Sequence, residues 1–214
     1  MKKTLFIFFG ALLFTIGFQA QSFEITPQFG YQINSKLNYN GGYVKLPGGE
    51  QYGVTGSFNT GNRINFEFSW THQDSEIRIK DILFNPYEER NWGDVAINHY
   101  LFGAIQDFGN DDQVKPFFGV AIGWSTFNPE NNGAAEFNLS SYTTFTFALS
   151  GGVKYMFNDY LGFRLQSQLL LPVYGGGVYY GGPYGYAGYS KVAAMLNFSG
   201  GLIIAFGDNK TTFN

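Results

Sequence analysis

Between residues 23 and 206 the chain alternates apolar and polar side chains with period two, in eight runs. This one feature excludes most folds. A helix repeats its apolar positions every three or four residues, whereas strict alternation puts successive side chains on opposite faces of an extended strand. In the first run Phe23, Ile25, Pro27, Phe29, Tyr31 and Ile33 share one face, and Glu24, Thr26, Gln28, Gly30, Gln32 and Asn34 share the other. Runs over 51–58, 64–71, 116–125, 144–155, 161–171 and 196–206 repeat the pattern. The run over 95–106 is the least clean, because Tyr100 and Phe102 share a face with Asn98.

The gaps between runs alternate too. Asn59-Thr60-Gly61-Asn62, the Gly, Asn and Asp of 107–113, and Phe157-Asn158-Asp159-Tyr160 are short and suit hairpin turns. The connections 35–50, 74–94, 128–142 and 173–190 are long. In an up-and-down antiparallel arrangement, all short turns then fall at one end and all long loops at the other.

Composition decides which face looks outward. Charged residues are only 14% of the chain, against aromatics at 20%. The apolar face of the eight runs carries no charge. The other face is small and polar, with a few charges: Glu24, Glu67, Lys154 and Arg164. A wall facing water would carry many Lys and Glu; the narrow interior of an eight-stranded barrel needs small residues and paired polar groups. Aromatics such as Trp70, Trp124, Tyr155 and Phe206 fall near run ends, where the two girdles of a barrel in lipid belong. Closure would satisfy every backbone group within the bilayer. The expected fold is all-β: an eight-stranded antiparallel up-and-down transmembrane β-barrel in the cell outer membrane. A soluble lipocalin-like carrier, with its apolar face inside, is the competing architecture.

Ahead of the runs, Lys2 and Lys3 precede an apolar stretch over 5–16 and the boundary Gln19-Ala20-Gln21-Ser22. This is the layout of a cleavable signal peptide, assigned to residues 1–20, and the stretch is too short to span a bilayer as a helix. The barrel domain is then 21–214, with strands inside 23–206 and a short polar tail over 207–214. The chain has no Cys and 2 His, which excludes thiolate metal sites and His-rich centres; no cofactor is expected. A net charge of −3 offers nucleic acid no basic face.

The eight runs, the short Asn/Asp turns, the stretch Gly152-Val153-Lys154-Tyr155-Met156-Phe157-Asn158-Asp159 and Gly162-Phe163-Arg164-Leu165 together resemble small bacterial outer-membrane barrels of the OmpA/OmpX type. The resemblance spans 23–206 and is architectural. It implies a last strand ending in an aromatic residue that the barrel-assembly machinery reads. Phe206 fits that place, with Phe213 in the tail as the other candidate.

The interior charges Glu24, Glu67, Lys154 and Arg164, with Gln28 and Gln166, are expected to form a structural polar network toward the short-turn end. An ion path is the alternative. His72, Asp74 and Ser75 are the candidate nucleophile–base set for a lipid-modifying enzyme, weighed against rim residues entering a polar loop. His99, between Ile97 and Leu101 on one face, lacks such company. Asn138-Leu139-Ser140 and Asn197-Phe198-Ser199 match a glycosylation pattern by chance, and Asn110-Asp111-Asp112 is a turn. Over 77–82 the long connection alternates, suggesting a hairpin raised above the membrane with edges open to a partner strand. The leading expectation is a monomeric barrel with a packed polar lumen and a structural or surface-interaction role. Its expected partners are outer-membrane lipid, lipopolysaccharide and an extracellular protein met through 74–94 and 173–190, the latter rich in Gly and Tyr. A lipid-modifying enzyme, or a narrow conduit or binding site for a small hydrophobic molecule, are the alternatives.

Overall fold

The computed structural model describes residues 22–39, 42–61, 63–81, 89–109, 113–130, 140–174, 191–192 and 194–207. The strands are β1 (Ser22–Gln32), β2 (Ser35–Tyr39), β3 (Gly42–Leu46), β4 (Gly49–Asn59), β5 (Ile64–Asp81), β6 (Arg90–Asp107), β7 (Val114–Glu130), β8 (Tyr142–Met156), β9 (Leu161–Tyr174), β10 (Lys191–Val192) and β11 (Met195–Gly207). Eight of them close a ring, β1-β4-β5-β6-β7-β8-β9-β11 and back to β1, each antiparallel to its neighbours. The expected fold class is thereby shown. Following directly paired residues once round the ring from Gln32 leads through Asn197, Gln168, Ser150, Gly119, Ile105, Asn65 and Asn59 to Ser22, a stagger of ten residues. That stagger tilts the strands by roughly 40–45° to the barrel axis and leaves an interior just wide enough for side chains.

The three short turns lie at one end, with the start of β1 and the end of β11. Asn side chains hold two of them. Asn59 Oδ1 accepts from the Gly61 N–H at 2.8 Å, and Asn158 Oδ1 accepts from the N–H groups of Tyr160 and Leu161 at 2.9 and 2.8 Å. Gly61, at φ 80°, takes the left-handed conformation this turn requires.

The alternation orients the wall. Phe118, Phe147 and Phe198 are 52%, 48% and 49% exposed and look outward, while Lys154 and Arg164, at 1% and 2%, look inward. An exterior of Phe, Leu, Val and Ile suits lipid, and the closed ring leaves no unpaired edge within it.

The opposite end departs from the expected plan. The connection 35–50 is not a loop: it contains the β2–β3 hairpin and the start of β4. β5 and β6 run past their barrel neighbours to Asp81 and from Arg90, as the alternation over 77–82 suggested. The raised edge of β5 is not open, because β3 pairs with it, Gly42–Lys45 against Arg78–Asp81. A four-stranded sheet, β2-β3-β5-β6, therefore stands above the rim. β7 likewise continues to Glu130, into the expected loop 128–142. The assigned signal peptide over 1–20, the turn 110–112, most of the Gly/Tyr-rich connection 173–190, and Phe213 with the tail beyond Gly207 lie outside the described residues.

Candidate functional site

The lumen is layered. Nearest the short turns, Met156, Ile203 and Ala205 close the barrel with an apolar floor. Above them sit the charges. Lys154 Nζ on β8 donates to Glu24 Oε2 on β1 at 3.0 Å. Arg164 on β9 makes a two-pronged bond to Glu67 on β5, at 2.5 and 3.0 Å. β5 and β9 are four strands apart whichever way the ring is followed, so this pair crosses the full diameter. Ser57 Oγ also donates to Glu67 at 2.7 Å, Arg164 Nε donates to Gln166 Oε1 at 2.9 Å, and Gln166 Nε2 donates to Gln28 Oε1 at 3.0 Å. The structure thus brings together all six residues singled out for the interior. It adds Asp107, which accepts from Asn65 at 2.7 Å, and Phe117, whose ring lies 4.4 Å from the Arg164 guanidinium. The forked guanidinium–carboxylate geometry and the extra hydrogen bonds offset the cost of taking these charges out of water. Beside the layer, a void of about 20 Å³ lined in part by Thr55, Glu67, Ser69 and Gln168 holds no more than about one water.

Toward the rim the lumen is polar only in part, because apolar side chains are interleaved with buried Gln, Thr, Ser and Asn. Val95, Ile97, Leu101, Phe127, Ala148, Leu170 and Met195 pack into an apolar plug, with Leu46 of β3 and Ile77 of β5 against it. The 95–106 run was hard to frame because both its faces are apolar: Val95, Ile97 and Leu101 look in, Tyr100 and Phe102 look out. Within the plug sits a polar cluster, with His99 between Ile97 and Leu101 on the same face of β6. His99 Nδ1 is 2.6 Å from Ser125 Oγ, which is 2.6 Å from Thr146 Oγ1. The side-chain amides of Gln32, Gln73 and Asn197 at this level make no hydrogen bond among the described residues. The His99–Ser125 pair escaped sequence reasoning, since only β6–β7 register, His99 opposite Ser125, brings the two together. Among the described residues no carboxylate orients the imidazole, and the pair is fully enclosed.

His72, Asp74 and Ser75 are not brought together. His72 and Asp74 face outward, with His72 Nε2 3.2 Å from Asp74 Oδ1 and His72 Nδ1 2.9 Å from Asn98 Oδ1. Ser75 faces the opposite way and donates to the Pro47 carbonyl at 2.9 Å. Asn98, the polar outlier of its face, also accepts from the Trp70 indole at 3.3 Å. Asn197 and Ser199 of the second glycosylation match are buried inside β11.

Trp70, Tyr100, Trp124 and Phe145 lie directly opposite one another across β5, β6, β7 and β8, and mark the outer girdle position. At the short-turn end Phe206 is 6.4 Å from Phe23, and Tyr155 is 5.3 Å from Phe157, ring centre to centre. Two aromatic belts enclosing an apolar band, around a ring whose charge layer lies inside, are the arrangement of a lipid-spanning barrel.

A family model described as "outer membrane protein beta-barrel domain" matches residues 10–174. The chain belongs to the outer membrane protein beta-barrel family. Its place is therefore the cell outer membrane. No curated protein sequence matches it. Among solved structures, the outer membrane protein OprG of Pseudomonas aeruginosa is similar over 88% of this chain and 97% of its own, with a TM-score of 0.62 at 14% identity. Neisserial surface protein A is similar over 86% and 97%, with a TM-score of 0.58 at 16% identity. At such identities the likeness is one of fold alone, and this family barrel's own lumen and outer sheet must carry any functional reading.

Proposed function

We propose that this family member is a sealed barrel that serves as a surface platform, monomeric and without catalytic activity. The observation that carries the reading is the β2-β3-β5-β6 sheet, raised above the rim and anchored from below by Leu46 and Ile77 on the lumen plug. The diametric Arg164–Glu67 bond, the Lys154–Glu24 pair and the apolar plug support sealing, because an ion would have to displace both paired charges and packed apolar side chains. Separation of Ser75 from His72 weighs against lipid-modifying chemistry at that rim. Outer-membrane lipid and lipopolysaccharide surround the wall, the barrel-assembly machinery inserts it, and an extracellular protein meets the raised sheet. The unpartnered amides of Gln32, Gln73 and Asn197 favour the conduit form of the second reading, a narrow conduit or binding site for a small hydrophobic molecule.

Planar-bilayer recording separates the two. The purified barrel is expected to give no steady current steps. Reproducible ohmic steps that disappear when Arg164 or Lys154 is substituted would replace the sealed reading with the conduit.

A further inference from the structure

The raised sheet carries an unusual row of charge. Lys36 on β2 lies directly opposite Lys45 on β3, and Lys45 lies directly opposite Arg78 on β5. Lys80, opposite Tyr43, stands on the same face one step further out. Like charges directly opposite in a sheet are destabilising. Part of the row is accounted for internally. Arg78 donates to Glu76 at 2.9 and 3.0 Å and reaches Glu89 at 3.8 Å, which raises its pKa further. Lys36 Nζ sits 3.8 Å from the centre of the Tyr43 ring. The Tyr43 hydroxyl donates to Glu89 at 2.9 Å, a bond that holds the phenol above its ordinary pKa, so Tyr43 adds no negative charge. Among the described residues, Lys36, Lys45 and Lys80 have no acidic partner. A row that breaks the cross-strand rule and is compensated from within only in part is where a bound group is to be sought.

Orientation decides what that group is. Along β5 the outward face reads Phe66, Phe68, Trp70, His72, Asp74, Glu76, Arg78, Lys80. The basic face is thus the upward continuation of the lipid-facing wall. The reverse face of the sheet is apolar and rests on the lumen plug through Leu46 and Ile77. Lys36, Lys45 and Lys80 therefore look out over the surrounding leaflet. Arg78 lies eight residues beyond Trp70 of the outer belt, about 20 Å above it at ~3.3 Å per residue and a tilt near 45°. A polyanion that stands on the outer leaflet and reaches this height meets three ammonium groups that have no acidic partner among the described residues.

We propose that the outward face of β2, β3 and β5 binds the phosphorylated core sugars of lipopolysaccharide in the surrounding leaflet, through Lys36, Lys45 and Lys80. The proposal rests on the platform part of the reading above and is independent of sealing. The test uses the full-length folded barrel. Its binding is measured to lipopolysaccharide with a phosphorylated core, to the same material dephosphorylated with hydrofluoric acid, and to a free sulfated polysaccharide. Dephosphorylation and the triple variant Lys36→Gln/Lys45→Gln/Lys80→Gln are each expected to weaken binding about tenfold. The Lys→Arg triple variant is expected to retain it. If the Gln triple variant fails to reach the heat-modifiable folded form, the Lys45→Gln/Lys80→Gln pair is read instead. Equal affinity with and without core phosphate, or unchanged affinity in the Gln variants, would overturn the proposal. So would tighter binding of the free polysaccharide, which would put the partner in solution. A barrel that conducts yet discriminates phosphorylation loses the sealed reading and keeps this one; a silent barrel indifferent to phosphate does the reverse.

Discussion

Arg164→Ala is expected to destabilise the folded barrel by about 3–5 kcal/mol, the usual cost of removing one partner of a buried ion pair. The reason is what stays behind. Glu67 would keep its charge in the lumen without its guanidinium partner, with the Ser57 hydroxyl as its remaining hydrogen-bond donor, and Gln166 would lose the donor that fixes its amide. The packing of the guanidinium on Phe117 is lost as well. Adding Glu67→Gln should recover part of the loss, because the second substitution takes away the uncompensated charge. Denaturant unfolding of the refolded protein in detergent measures both variants. A single variant as stable as the parent, or a double variant worse than the single one by a full additive step, would mean that the pair across the barrel is not what holds the two walls together.

The second large effect belongs to the outside. Val120 is 54% exposed and lies four residues below Trp124 on β7, within the apolar band. Val120→Arg is expected to cost about 2–4 kcal/mol in reversible unfolding from liposomes, the depth-dependent penalty for a cation on a lipid-facing wall near the midplane. Val120→Leu should be nearly silent. Were this wall bathed in water, the Arg would be free of charge burial and would shift stability by no more than about 0.5 kcal/mol.

These two positions also show what could be read from residues alone. Val120 and Arg164 fall on opposite faces of strictly alternating runs, so lipid face, lumen face and short turns were all legible before any coordinates. The outer half was not. Lys36 and Lys45 sit among Gly, Asn and Pro, which reads as loop, and only the pairing of β3 with β5 turns that stretch into sheet. The plug was hidden for a different reason. Period two identifies the lipid face by contrast with a polar partner, and at Val95, Ile97 and Leu101 that contrast disappears because the lumen there is apolar too. The interior network lies between these cases. Its members were visible as the only charges in the runs, but which acid meets which base depends on stagger. A ten-residue stagger places Arg164 across from Glu67 and Lys154 within reach of Glu24.

The measurement closest to the heart of this description uses the absence of cysteine. With Cys 0 in the parent chain, each introduced cysteine is unique and can carry a single spin label. Labels placed one at a time from Phe117→Cys to Trp124→Cys along β7, in the barrel reconstituted in liposomes, are examined for collision with oxygen and with a water-soluble nickel complex. Positions 118, 120, 122 and 124 should meet oxygen freely and nickel hardly at all, while 117, 119, 121 and 123 should meet neither, as expected of a wall between lipid and a filled lumen. Nickel collision at 118, 120 and 122, or the loss of period two along the strand, would contradict a barrel whose outside is lipid and whose inside is packed.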